Sequence, residues 1–139
     1  LEYRVFMNSD EAGKTLTDRV YERQSAIIRK LADEGPGIFV GRCADYVLGD
    51  YTNCINTFIY AYKEDRIRRI MKLYKLDEKQ AADKIRKTDR DRKNYYEART
   101  KRPWGGIDAN SMMFNASLLG IDGVVDALEA IYRKWEIRE

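Results

Sequence analysis

The sequence predicts an α/β domain with a parallel sheet covered by helices on both faces, and three observations predict it. Helical periodicities and short apolar runs alternate in the order helix, strand, helix, strand, helices, strand, helix. The apolar runs IFV (38–40), CINTFIYAY (54–62) and SMMFNA (111–116) follow turn-like segments in the manner of strands buried in a parallel sheet. A chain of 139 residues with 44% hydrophobic residues can bury one sizeable core, which argues for a single domain and against disorder.

Taken in order, the first helix is expected from about Thr17 to Glu34, where Val20, Gln24, Ile27, Ile28 and Leu31 recur at near-helical spacing. Thr15 and Asp18 stand at its start as a capping pair. Gly35-Pro36-Gly37 ends it, because proline removes a donor and glycine permits left-handed backbone. IFV then reads as a buried strand and CINTFIYAY as the next one. Ile67, Ile70, Met71 and Tyr74 mark the apolar face of a helix starting near Glu64. Asp77 with Gln80 restarts helix, which runs through Ala81, Ala82 and Ile85 until Pro103-Trp104-Gly105-Gly106 stops it. After the third strand, Val124, Val125, Leu128, Ile131, Tyr132 and Trp135 make a final amphipathic helix with Asp122 as its N-cap.

No internal repeat interrupts this order, no apolar run approaches the about 18 residues of a membrane span, and no signal-peptide pattern opens the chain. The expectation is a soluble, cytoplasmic protein with no membrane partner. Cys43 and Cys54 fit no metal-ligand spacing and the chain has no histidine, so no metal site is expected and both cysteines read as buried, reduced thiols.

Charge is distributed unevenly. Residues 83–102 carry nine Lys/Arg against four acids, a net +5, whereas the whole chain is +3 and the remainder therefore −2. In a helical run, Arg86, Arg90 and Lys93 share one face and Arg92, Tyr96 and Arg99 another. Like charges at i, i+4 cost about 0.2–0.5 kcal/mol each, so such stacking points to a visiting anion, with Asp89 to Lys93 relieving part of the cost. A solvated charged helix explains the same run without a ligand.

Two further segments carry candidate chemistry. In IFVGRCADYVL (38–48), Gly41 allows a tight turn at the carboxyl edge of the sheet, where ligands bind in α/β folds. Arg42 then projects from that edge with a planar fork suited to phosphate, and Asp45 lies close by. In KEDRIRRIM (63–71), Arg66 and Arg69 are i, i+3 neighbours able to meet one anion, although charged flanks are also ordinary on amphipathic helices. NSDEAGKT (8–15), preceded by YRVFM, imitates a phosphate-binding loop, but Asn8 replaces its first glycine and Asp10 and Glu11 would repel polyphosphate.

Together EGPGIFVGRCADYVL (34–48), INTFIYAYKEDRIRRIM (55–71), KTDRDRKNYY (87–96) and NASLLGIDGVVDAL (115–128) resemble the cytidylate kinase-like family of P-loop nucleoside monophosphate kinases. The resemblance implies a three-layer, parallel-sheet P-loop NTPase-like core over 16–74 and 107–139 with a helical lid over 75–106. It implies an ATP-dependent phosphotransferase that moves the γ-phosphate of ATP to CMP or a related nucleotide, with Mg²⁺ supplied with ATP. Carried over by position, it gives Arg42 to the acceptor phosphate with Asp45 in the same pocket, Arg66 and Arg69 to the phosphoryl path, and Arg90 and Arg92 to the transferring group. Asp89 and Asp91 would orient those lid arginines, and Asn115 and Ser117 would edge the ATP base. Lys87 and Asn94 stand where the family's lid has arginines. The family also opens with a strand and glycine-rich phosphate loop that this sequence lacks, and the chain does not begin with Met, so it reads as the later part of a longer kinase. Two alternatives stand beside this: a nucleic-acid-binding module using helix 83–102, with Tyr95 and Tyr96 as stacking rings, and a kinase-derived binding protein without catalysis.

Overall fold

The computed structural model describes residues 13–136, and the chain divides after Cys54 into two compact units. The YRVFM segment and most of NSDEAGKT lie outside the described residues. No helix among the described residues is long and apolar enough to cross a membrane.

The first unit is built on α1 (Leu16–Glu34) and the single turn α2 (Ala44–Val47). The start of α1 is the reciprocal cap its sequence encodes. The Asp18 N–H donates to Thr15 Oγ1 at 3.2 Å and the Thr15 N–H donates to Asp18 Oδ2 at 2.9 Å, so two otherwise orphaned donors are satisfied. The helix ends at Gly35, as expected. Ile28 of α1 packs with Ala44, Val47 and Leu48, and Tyr21, Ala32, Phe39, Tyr51 and Cys54 close around them. Val20, Ile27 and Leu31, which share the helical periodicity, lie on the exposed side instead. Cys43 is buried as expected; Cys54 is only half-buried, enough for burial to push its thiol pKa up and keep it protonated at neutral pH.

Two polar contacts close the neck of the segment between α1 and Tyr51. The Arg29 guanidinium donates to both carboxylate oxygens of Asp50, at 3.1 and 3.0 Å, and lies 5.8 Å from the centre of the Tyr51 ring. The Tyr51 hydroxyl donates to Asp33 Oδ1 at 2.6 Å. Hydrogen bonding to Asp33 raises the Tyr51 pKa, and hydrogen bonding from Arg29 lowers that of Asp50.

The IFV segment corrects the expectation of a strand at 38–40: these residues are not in a strand, and Ile38 and Val40 are 96% and 88% exposed. Only Phe39 turns inward, onto the α1–α2 cluster. A strand is defined by its partner, and no ladder among the described residues takes up this segment.

The second unit runs β1 (Thr57–Tyr60), α3 (Lys63–Tyr74), α4 (Glu78–Thr100), a 3-10 turn at Ile107–Ala109, β2 (Met112–Asn115) and α5 (Ala116–Glu136). β1 and β2 pair in parallel, from Thr57 opposite Met112 to Tyr60 opposite Asn115. The expected α/β class stands, but the described chain is mostly helical with one two-stranded parallel sheet, without the wider three-layer arrangement. α4 opens with the expected Asp77/Gln80 box, in which the Gln80 N–H donates to Asp77 Oδ1 at 2.8 Å and the Asp77 N–H to Gln80 Oε1 at 3.1 Å. α3 half-buries Ile67, Ile70 and Met71 while Tyr74 is exposed, with the Lys84 ammonium 4.5 Å from its ring centre. α5 is broken at Gly120 (φ 71°), so Asp122 lies inside the second helical stretch rather than capping it.

The loop after α4 is pinned to β1. The Trp104 ring meets Phe58 edge-on, with centroids 5.5 Å apart, and the Trp104 N–H donates to Glu97 Oε1 at 3.2 Å. Gly105 has φ 71°, and a Cβ there would stand 2.9 Å from the Phe58 ring. Gly105→Ala therefore meets both a steric and a backbone penalty. It is expected to lower unfolding stability by about 1–3 kcal/mol, read from the midpoint of urea denaturation at unchanged slope.

Candidate functional site

In the first unit the site residue is presented by an uncommon backbone. Gly41, Arg42 and Cys43 have φ of 70°, 56° and 57°, three consecutive residues in the left-handed region, of which only the first is glycine. Each non-glycine residue there costs about 1–2 kcal/mol, so the turn persists because its surroundings hold it. The hold is visible: Cys43 and Ala44 are buried, the Ala44 N–H donates to Gly41 O at 3.1 Å and the Val47 N–H to Cys43 O at 2.9 Å. Arg42 itself is exposed and makes no ion pair among the described residues, while Asp45 is half-buried one turn on. The Arg42 guanidinium is thus carried on strained backbone without an ion pair among the described residues.

In the second unit the parallel pairing puts both strand ends, Tyr60 and Asn115, at one edge, and α3 and α5 start from that edge. Asn115 Oδ1 accepts the Ser117 N–H at 3.0 Å, and Ser117 Oγ accepts the Tyr62 N–H at 2.8 Å. The two residues expected to border a nucleotide base therefore stitch the start of α5 to the start of α3. The Asn115 amide NH₂ and the Ser117 hydroxyl hydrogen keep donor capacity for a ligand.

Arg66 lies in the first turns of α3 and donates through both terminal nitrogens to Asp89 of α4, Nη1 to Oδ2 and Nη2 to Oδ1, each at 2.7 Å. The side chains are 35% and 27% exposed, so the pair is neither a loose surface contact nor fully buried. The hydrogen bonds to Asp89 raise the Arg66 pKa and outweigh the opposing effect of burial, so the group stays charged. Asp89 was expected to orient the arginines beside it in sequence; it engages Arg66 across the helix–helix seam instead. Arg69, Arg90, Asp91 and Arg92 are exposed and make no ion pair among the described residues. Arg86 is paired with Asp83 and Arg68 with Asp65.

Sequence reasoning named Arg66 and Asp89 separately but missed that they bind each other across 23 positions. It also missed the Arg29–Asp50 and Tyr51–Asp33 neck; the i, i+4 placement of Arg29 and Asp33 on α1 was the one available signal. Tyr96 is buried and Tyr95 half-buried, which removes Tyr96 as an exposed base-stacking ring. No group of three or more His, Cys, Asp or Glu able to hold a metal ion occurs among the described residues.

A model of the cytidylate kinase-like family matches residues 1–118. The chain belongs to the cytidylate kinase-like family. The match spans the Arg42 turn, α3, α4 and both strands, ending in α5. The chain is also similar to a crystal structure of an uncharacterized protein from Eubacterium ventriosum ATCC 27560, with TM-score 0.81 and 27% identity over 86% of this chain and 68% of that one. None of the curated proteins matches. Family membership supports a kinase-like origin for the chain.

Arg42→Gly separates function from stability at the left-handed turn. The variant is expected to gain about 1 kcal/mol in unfolding stability by relieving the backbone, and to lose affinity for nucleoside monophosphates in calorimetric titration. A destabilised Arg42→Gly that binds nucleotide normally would contradict the assignment.

Proposed function

We propose that the protein is a nucleoside monophosphate kinase that transfers the γ-phosphate of ATP to CMP or a related nucleotide, using a P-loop NTPase-like core and a lid containing α4. The observation that carries this is the set Arg69, Arg90 and Arg92. These are three exposed guanidiniums without ion pairs among the described residues, on two helices that pack together, in a chain of a kinase-like family.

In this reaction an oxygen of the acceptor phosphate attacks the γ-phosphorus, a new P–O bond forms, and the bond to the β-phosphate oxygen breaks to release ADP. Charge spreads over the equatorial oxygens, so catalysis is mostly positioning and electrostatic stabilisation. Arg42 holds the acceptor phosphate, with Asp45 beside it. Arg90 and Arg92 stabilise the transferring group, Arg69 adds positive potential along α3, and Asp91 moderates the repulsion between its two arginine neighbours. The unused donors of Asn115 and Ser117 suit the acceptors on a nucleobase edge. Mg²⁺ would be supplied with the phosphates of ATP.

The test is acceptor-dependent ADP release by the protein expressed from its complete reading frame, assayed across CMP, dCMP, UMP and AMP. The expected result is turnover with at least one acceptor, CMP foremost; no acceptor-dependent ADP with any of the four overturns the assignment. In the active protein, Arg90→Ala and Arg92→Ala are each expected to lower kcat by about a hundredfold, with a smaller effect on acceptor KM.

A further inference from the structure

We infer that Arg66 and Asp89 form a tether that fixes the inclination of α4 on α3 and so sets the directions in which Arg90 and Arg92 leave the helix; both are positioning residues rather than ligands of a nucleotide phosphate. The tether rests on geometry alone, and only the use made of Arg90 and Arg92 rests on the phosphotransfer reading above.

The first argument is saturation. Arg66 spends two 2.7 Å hydrogen bonds on one carboxylate, the same bidentate mode by which arginine binds phosphate. A phosphate reaching that guanidinium would have to displace Asp89 or approach with its own charge beside the carboxylate. Arg69, one turn later, is exposed and without an ion pair among the described residues, and is the α3 arginine open to a phosphate.

The second argument is mechanical. α3 and α4 are joined by a short turn at Lys75–Asp77, and Lys75 is itself left-handed with φ 54°. A covalent turn fixes one end of α4 and leaves its angle on α3 to packing. Asp89 lies about 17 Å along α4 from its first residue at 1.5 Å per residue, so a second fixed point there removes the swing. Successive residues turn by about 100°, so Arg90 leaves on one flank of the Asp89 direction and Arg92 on the other. Anchoring Asp89 therefore orients both arginines at once, and an error of a fraction of a turn would swing both away.

The experiment uses the complete protein with five variants: Asp89→Asn, Arg66→Lys, the single exchanges Arg66→Asp and Asp89→Arg, and the charge-exchanged double Arg66→Asp/Asp89→Arg. Asp89→Asn keeps the shape and removes the charge; it is expected to lower kcat on the order of tenfold while acceptor KM stays within about twofold. Arg66→Lys should behave alike, because an ammonium cannot reproduce the planar fork. The exchanged pair should recover both Tm and kcat relative to its two single variants, the signature of direct coupling.

A lowered acceptor KM at unchanged kcat in Asp89→Asn would overturn the tether, since Arg66 would then be a phosphate ligand that Asp89 restrains. Recovery of Tm without kcat in the exchanged pair, or strictly additive losses of Tm, would overturn it too. If the unaltered protein releases no acceptor-dependent ADP, the kinase assignment fails separately, and the thermal cycle decides the tether by itself.

Discussion

Parallel pairing of β1 with β2 is the constraint on which the second unit depends. Two strands running the same way cannot be joined by a hairpin, so the chain must travel back before it pairs again. Here that return is made by α3 and α4, and the pairing obliges Tyr60 and Asn115 to finish side by side. Everything placed just after a strand then falls at one edge: the beginning of α3, the beginning of α5 and the Ser117–Tyr62 hydrogen bond that ties them together. The arginines of α3 follow from this, because the helix that bears them starts where β1 stops.

The charges of the second unit are graded by how much each is used internally. Arg68 and Arg86 answer acids three residues away, contacts that matter little in water. Arg66 is committed across the seam between two helices. Arg69, Arg90 and Arg92 are exposed and make no ion pair among the described residues, so they raise the local positive potential. Under the proposed phosphotransfer reading that potential would meet phosphate, and Asp83, Asp89 and Asp91 lower the net charge of the same run.

What could be read in advance was what depends on near neighbours. Thr15 with Asp18 and Asp77 with Gln80 marked two helix starts correctly because capping is an exchange between residues three apart. Gly35 marked a helix end for a similarly local reason. The IFV run was misread because apolar character says that a segment seeks cover, whereas strand pairing depends on a partner elsewhere in the chain. The periodicity of α1 was read rightly as helical, but Ile28 was taken inward and Val20, Ile27 and Leu31 outward, since the pattern is apolar on more than one side. The site residues were legible as types and positions. The joining of Arg66 to Asp89 was not, since nothing in a linear sequence fixes how two helices lean on each other.

The neck of the first unit has a consequence for the arginine beyond it. Residues 35–49 leave α1 and return beside it, and holding such an excursion shut has an entropic cost that grows slowly with its length. Asp50 on Arg29 and Tyr51 on Asp33 help to offset that cost at the base, some distance in sequence from Arg42. Because contact with Arg29 lowers the Asp50 pKa, its share of the fastening is complete above the ordinary carboxylate range and disappears as acid titrates the folded group. Acidification would thus weaken this fastening at the base of the excursion that carries Arg42.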